Sequence, residues 1–86
     1  MIEKEEIRLL IAHGKLKDAT ALLTTAPDDA WALYMLGRIA WKEGRKGDAI
    51  SLYERARAID PASEAAVALE QAREIMNFYN TDLYNP

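Results

Sequence analysis

Hydrophobic residues recur along the chain at helical spacing, and glycine and proline divide them into five segments. These segments lack the strict alternation of apolar and polar positions that is typical of half-buried strands. Gly14 and Gly44 follow apolar runs, where a glycine ends a helix without steric cost, and Asp28 or Asp29 can accept the free N–H groups of a helix that starts after it. The pattern therefore predicts an all-α protein, with helices at about residues 2–13, 16–25, 30–44, 47–59 and 62–79 and a tail at 80–86.

The third predicted helix is apolar almost all the way round. After Asp29, its only charged residues are Arg38, Lys42 and Glu43. Such a helix needs neighbours on more than one side, which fits the middle member of five stacked helices. Because the connections are only about three to five residues long, we expect each helix to run antiparallel to the one before it.

An internal repeat links the first half of the chain with the second. Residues 14–19 match residues 44–49 at an offset of 30, and the match continues further along both segments. Repetition of a helical pair at such a period is typical of arrays of helical hairpins. Within residues 30–63 the chain resembles the tetratricopeptide repeat. The positions that correspond to the family pattern are Leu33, Leu36, Gly37, Ala40, Gly44, Ala49, Tyr53, Ala56 and Pro61.

The resemblance implies a right-handed array of antiparallel helical hairpins with about two and a half repeats. It divides the TPR-like domain, residues 1–79, into a degenerate repeat at 2–27, a full repeat at 28–61 and a capping helix at 62–79, and it leaves an apolar tail at 80–86. The last segment is also similar to the ending of small single-domain bacterial proteins of this family.

The family pattern implies a packing role for several of the matching residues. Gly37 and Ala49 would let the two helices of a hairpin approach closely, and Leu36 and Tyr53 would fill the space beside them. Pro61 would end the second helix. The chain departs from the family pattern at two of these positions. Leu33 stands where the family has Trp, and Ala40 stands where it has Tyr.

The first repeat is degenerate in both of its helices. Pro27 comes about one helical turn earlier than the corresponding Pro61, so the second helix of this repeat is expected to be short. Ile7 stands where the full repeat has Gly37, so this hairpin is expected to be more widely spaced.

A stripe on the third helix is the candidate binding surface. Trp31, Tyr34, Arg38 and Trp41 are spaced by three, four and three residues, so they lie along one side of the helix. The family resemblance implies that this side lines a concave face where peptides or partner helices bind. The corresponding groove residues on the first and fifth helices are Lys4, Arg8, Ile11, Ala65, Ala68, Ala72 and Ile75. The competing interpretation is that neighbouring helices cover the stripe as ordinary core.

The predicted function is that of a non-enzymatic module that binds a short peptide or a partner helix. Aromatic rings provide a large contact area, and an arginine can hold a carboxylate through two parallel hydrogen bonds. The groove therefore suits a protein or peptide partner with apolar side chains and an acidic group or a C-terminal carboxylate.

The apolar tail leaves a second function open. It is too hydrophobic for a solvated end, so it can fold back over the array, fill the groove or pair with another copy. In the last case the chain would be a structural or self-assembly protein that forms a homodimer. The tail residues concerned are Phe78, Tyr79, Leu83 and Tyr84.

Charge and composition argue against several other classes of function. The 86 residues include 11 Lys and Arg against 14 Asp and Glu, and this formal charge of −3 disfavours binding to nucleic acid or to an anionic membrane. The chain has no cysteine, one histidine and two serines, so no catalytic centre, metal site or other cofactor is expected. No apolar run is long enough to span a membrane, and the start lacks a secretory signal, so we expect a cytoplasmic protein.

Overall fold

The structure is a computed structural model that describes the backbone of residues 3–84 and the side chains of residues 3–77. Within this part of the chain there are five α-helices and no β-strand, which confirms the all-α prediction. Short turns join successive helices. The helices are α1 Lys4–Ala12, α2 Leu16–Leu23, α3 Ala30–Lys42, α4 Lys46–Ile59 and α5 Glu64–Tyr84.

Local interactions explain where several helices begin and end. The side chain of Asp29 accepts a hydrogen bond from the backbone N–H of Ala32 at 3.1 Å, so Asp29 is the N-terminal cap of α3. Gly14 and Gly44 have φ values of 76° and 83°, which glycine adopts without strain. The residue after each glycine donates its N–H to the carbonyl oxygen five residues earlier, at 2.8 and 2.9 Å. Both turns are therefore Schellman endings.

The second helix of the first hairpin is short, as predicted. α2 has 8 residues and its counterpart α4 has 14. Pro27 follows α2 after three residues, whereas Pro61 follows α4 after one residue in the longer second repeat. The first hairpin can therefore bury less apolar surface than the second.

α5 is longer than predicted. It continues to Tyr84 instead of ending near Tyr79, so residues 80–84 of the expected tail have helical backbone. These residues contain neither glycine nor proline, and the next helix breaker is Pro86. The interactions predicted for the apolar tail concern side chains that lie outside the described residues: Phe78, Tyr79, Leu83 and Tyr84.

α3 lies between two hydrophobic clusters and contributes buried side chains to both. We call the cluster that joins α3, α4 and α5 the α3–α5 cluster. Its buried members are Leu33, Ala40, Ala49, Tyr53, Ala56, Ala65, Leu69 and Ala72. The other, the α1–α3 cluster, joins α1, α2 and α3. Its buried members are Ile7, Ala19, Leu23, Ala32, Met35 and Ile39. These contacts explain why α3 is apolar on nearly every side.

α3 and α4 approach closely at Gly37. A Cβ atom at this position would lie 2.6 Å from Cδ1 of Tyr53, so the aromatic ring occupies the space that a side chain would need. In the first hairpin the equivalent residues are Ile7 and Leu23, and both are fully buried. Two aliphatic side chains thus fill the interior of the first hairpin, whereas one ring over a glycine fills that of the second.

Leu36 packs on a different side of α3 from the side that the family pattern implies. The pattern assigns it to the contact with α4, but it is partly buried against the α1–α3 cluster. Successive residues turn by about 100° around a helix, so Leu36 lies about 60° from Leu33, on the side of Ala32. This offset directs Leu36 toward the first hairpin.

Candidate functional site

Four residues of α3 form a stripe on one side of the helix, which we call the α3 stripe: Trp31, Tyr34, Arg38 and Trp41. Arg38 is exposed and the three rings are half-buried. Trp31 packs against the α1–α3 cluster, Trp41 against the α3–α5 cluster, and Tyr34 against both. Part of each ring is therefore core and part is accessible. The two tryptophans are ten residues apart, which makes the stripe about 15 Å long.

Each ring of the α3 stripe has a cation within about 6 Å of its centroid, where the negative ring face attracts positive charge. The pairs are Lys4–Trp31 at 5.1 Å, Arg8–Trp31 at 5.8 Å, Arg38–Tyr34 at 5.9 Å and Lys46–Trp41 at 5.3 Å. Four cations thus lie along one side of α3, although the chain as a whole has a net charge of −3.

Lys46 is a member of this surface that the sequence interpretation missed. α3 ends after Lys42, and the turn at Gly44 brings the first residue of α4 back beside Trp41. The sequence feature that could have indicated this position is a lysine two residues after the glycine that ends α3.

An open depression of about 200 Å³ lies between α3, α4 and α5, and we call it the first depression. Aromatic and aliphatic side chains form most of its wall, and Arg38 is the charged residue that lines it. Its lining residues are Tyr34, Arg38, Trp41, Tyr53, Ala68, Gln71, Ala72 and Ile75. Tyr53 was expected only in helix packing and Gln71 was not expected at all, because the family pattern assigns neither to the groove.

A second open depression, of about 280 Å³, lies where α1, α3 and the start of α5 meet. Its wall carries charges of both signs. The lining residues are Lys4, Ala30, Trp31, Tyr34, Asp60, Ala62, Ser63 and Glu64. The hydroxyl oxygen of Ser63 is buried and has no hydrogen-bond partner among the residues that the structure describes.

The charge of Arg38 acts on two tyrosine side chains that line the first depression. Burial raises the pKa of Tyr34 above its ordinary value; the charge of Arg38 opposes this rise, and the nearby Glu64 carboxylate adds to it. Burial also raises the pKa of Tyr53, with a further increase from Tyr34 and a decrease from Arg38. Both hydroxyl groups are therefore protonated at neutral pH.

Arg38 has no salt bridge within the described residues. Its guanidinium group makes a long contact of 4.0 Å with Sδ of Met35. By contrast, Arg8 forms an exposed ion pair with Glu5 at 3.8 Å. Of these two arginines, Arg38 is the one whose charge is not already matched by a carboxylate.

The structure brings together most, but not all, of the predicted groove residues. Ala68, Ala72 and Ile75 line the first depression, and Lys4 lines the second. Three predicted residues line neither depression, and one of them, Arg8, lies over the ring of Trp31 instead. Ala65 is fully buried in the α3–α5 cluster, and Ile11 packs against the α1–α3 cluster.

In the described part of the chain, no three histidine or acidic side chains are placed so that they could hold a metal ion. No described helix is both long and apolar enough to cross a membrane.

Comparison with known proteins agrees with this architecture. The model of the tetratricopeptide repeat family matches residues 10–73, well over half of the chain. The protein therefore belongs to the tetratricopeptide repeat family, whose members generally mediate protein–protein interactions and are typically not enzymes. No curated protein and no solved structure gives a significant match to the chain.

Proposed function

We propose that this chain binds a short segment of a partner protein along the α3 stripe. The segment places an apolar side chain in the first depression and an acidic group, either a side chain or a C-terminal carboxylate, at Arg38. The observation that carries this proposal is the first depression itself, where the cation Arg38 stands in a wall that is aromatic and aliphatic except for Gln71.

The chemistry around Arg38 supports an acidic ligand group. A guanidinium group binds a carboxylate through two parallel hydrogen bonds, and Arg38 is exposed and lacks a salt bridge among the described residues. The charge of Arg38 also acts on the hydroxyl groups of Tyr34 and Tyr53, which line the same depression. The surrounding rings exclude part of the water, which strengthens such charge-assisted bonds.

The length of the stripe limits the size of the bound segment. An extended chain advances about 3.3 Å per residue, so a stripe of about 15 Å accommodates four or five residues. A contact of this size is small compared with stable protein interfaces, and the expected dissociation constant is on the order of micromolar.

The experiment is a selection from phage-displayed random seven-residue peptides on the immobilised full chain, followed by affinity measurements with selected peptides. Enriched peptides are expected to share a large apolar residue beside an acidic residue. Arg38→Glu and Trp41→Ala should each weaken binding at least about tenfold, a loss that corresponds to roughly 1.4 kcal/mol.

Arg55→Glu is the matched control, because Arg55 is exposed on α4 and lines neither depression. Wild-type affinity in Arg38→Glu would contradict the proposal. Loss of helical circular dichroism in Trp41→Ala would instead assign that residue to the core.

Light scattering distinguishes this function from self-assembly through the C-terminal residues. A peptide-binding monomer has the chain mass of 9.7 kDa, and a homodimer has twice that value at all concentrations where it is stable. A dimer whose formation prevents peptide binding would favour the self-assembly function.

A further inference from the structure

The two depressions meet at one side chain. Tyr34 lines both of them, and among the described residues no other is common to the two walls. Its ring is half-buried, packs against both hydrophobic clusters, and lies 6.0 Å from the ring of Tyr53, centroid to centroid. Contacts on several sides therefore hold the ring in place at the boundary between the two depressions, and we call this boundary the ridge.

We propose that Tyr34 determines which peptides bind, because the bound segment must have a small residue where it crosses this ring. The inference rests on the proposed function and adds a rule for the sequence of the partner. Larger side chains enter the depressions on the two sides, and glycine, alanine or serine lies over Tyr34.

Helix geometry sets the distance between the two larger side chains. The second depression lies beside Trp31 and the first is reached beside Arg38, seven residues further along α3. Seven residues of helix span about 10 Å, which an extended peptide covers in about three residues. The two side chains are therefore expected two to four positions apart, with the small residue between them.

The two depressions differ in chemistry, so the two side chains are different in kind. The first has aromatic and aliphatic walls with Arg38, which suits a large apolar residue next to an acidic one. The second combines Lys4 with Asp60 and Glu64, and this mixture of charges suits a polar side chain. The partner segment therefore contains a large apolar residue next to an acidic one, then a small residue, and then a polar residue.

A bulky residue over Tyr34 has to displace a packed ring or lift the peptide out of both depressions. Overpacking of this kind is costly in well-packed sites. We expect replacement of the small central residue by leucine to weaken binding to the wild-type chain about fivefold or more.

The test uses random seven-residue peptides displayed on phage, selected separately on the wild-type chain, Tyr34→Phe and Tyr34→Ala. Wild type and Tyr34→Phe, which keeps the ring, should enrich peptides with a small residue between the two larger ones. Tyr34→Ala, which removes the ridge and joins the depressions, should lose this preference. Equal enrichment of bulky and small central residues on the wild-type chain would overturn the inference, as would an unchanged preference in folded Tyr34→Ala.

A measurement on the wild-type chain alone keeps the test decisive where Tyr34→Ala does not fold. One selected peptide is synthesised with its own central residue and with leucine in that place, and both affinities are measured. Equal affinities overturn the role of Tyr34 but leave the proposed function intact. Failure to enrich any peptide over an empty surface overturns the proposed function and this inference with it.

Discussion

Gly37 and the ring of Tyr53 are in direct contact, with no room for a side chain between them. A Cβ atom on Gly37 would come within 2.6 Å of Cδ1 of Tyr53. The ring also forms part of the wall of the first depression. The same contact therefore holds α3 against α4 and shapes the candidate binding surface.

This contact predicts that Gly37→Ala destabilises the protein. The added methyl group must push the Tyr53 ring or separate the two helices, at an expected cost of about 1–3 kcal/mol in the free energy of unfolding. Urea denaturation measures the loss. Gly47→Ala is the control, because nothing lies within 4 Å of a Cβ atom at Gly47; it should be as stable as wild type or slightly more stable. Equal stability of Gly37→Ala and Gly47→Ala would show that the contact is not restrictive.

The left-handed turn at Gly44 makes a second prediction. A residue with a side chain is strained at φ 83°, so Gly44→Ala should lower the free energy of unfolding by about 1–2 kcal/mol. Gly44→Asn should lose less, because asparagine tolerates this conformation better than other residues with a side chain. Thermal melts followed by circular dichroism test the order. Alanine and asparagine variants of equal stability would contradict it.

The cap of α3 gives a third prediction, with a neighbouring residue as control. Asp29 accepts a hydrogen bond from the N–H of Ala32, so Asp29→Ala should cost about 1 kcal/mol in the free energy of unfolding. Asp29→Ser should recover most of this loss. Asp28→Ala should be close to wild type, because the Asp28 side chain is exposed and makes no hydrogen bond with the residues that the structure describes. A larger loss in Asp28→Ala than in Asp29→Ala would reverse the assignment of the cap.

The raised pKa of Tyr34 predicts a loss of stability at alkaline pH. In the unfolded chain this hydroxyl group loses its proton near pH 10, whereas in the folded chain burial raises its pKa above that value. The unfolded state then binds fewer protons, so the free energy of unfolding falls as the pH rises through about 10.

Tyr34→Phe should make this fall smaller without removing it, because the pKa of Tyr53 is raised as well. Urea denaturation at about pH 8 and about pH 11 measures the difference, and the absorbance of tyrosinate follows the titration itself. The same pH dependence in wild type and Tyr34→Phe would mean that Tyr34 does not contribute.

The main features of the fold could be predicted because local signals decide them. Gly14 and Gly44 end helices through their own backbone freedom, and the early Pro27 shortens α2. The end of α5 was predicted too early, because an apolar and polar mixture at residues 80–84 resembles a tail although it contains no helix breaker. The contact of Leu36 with α4 was predicted wrongly. The family pattern gives the position of a residue in the repeat, but it does not show that Leu36 is turned about 60° around the helix from Leu33, toward the first hairpin.

The candidate site was only partly predictable, because its walls come from residues far apart in the chain. Spacing along α3 was sufficient to find the α3 stripe. It did not reveal that Tyr53 takes part in the first depression, that Ala65 is buried completely, or that Lys46 lies over Trp41. These facts depend on how α4 and α5 pack against α3, and the residue spacing along α3 alone does not reveal that packing.

The attachment of α1 has a consequence for the two ends of the candidate site. Lys4 and Arg8 reach Trp31 only while the short first hairpin stays docked on α3, whereas the wall around Arg38 belongs to the larger second hairpin and α5. Local opening costs least where the fewest apolar side chains are buried. On warming, the contacts at Trp31 should therefore be lost first, while the first depression around Arg38 keeps its shape.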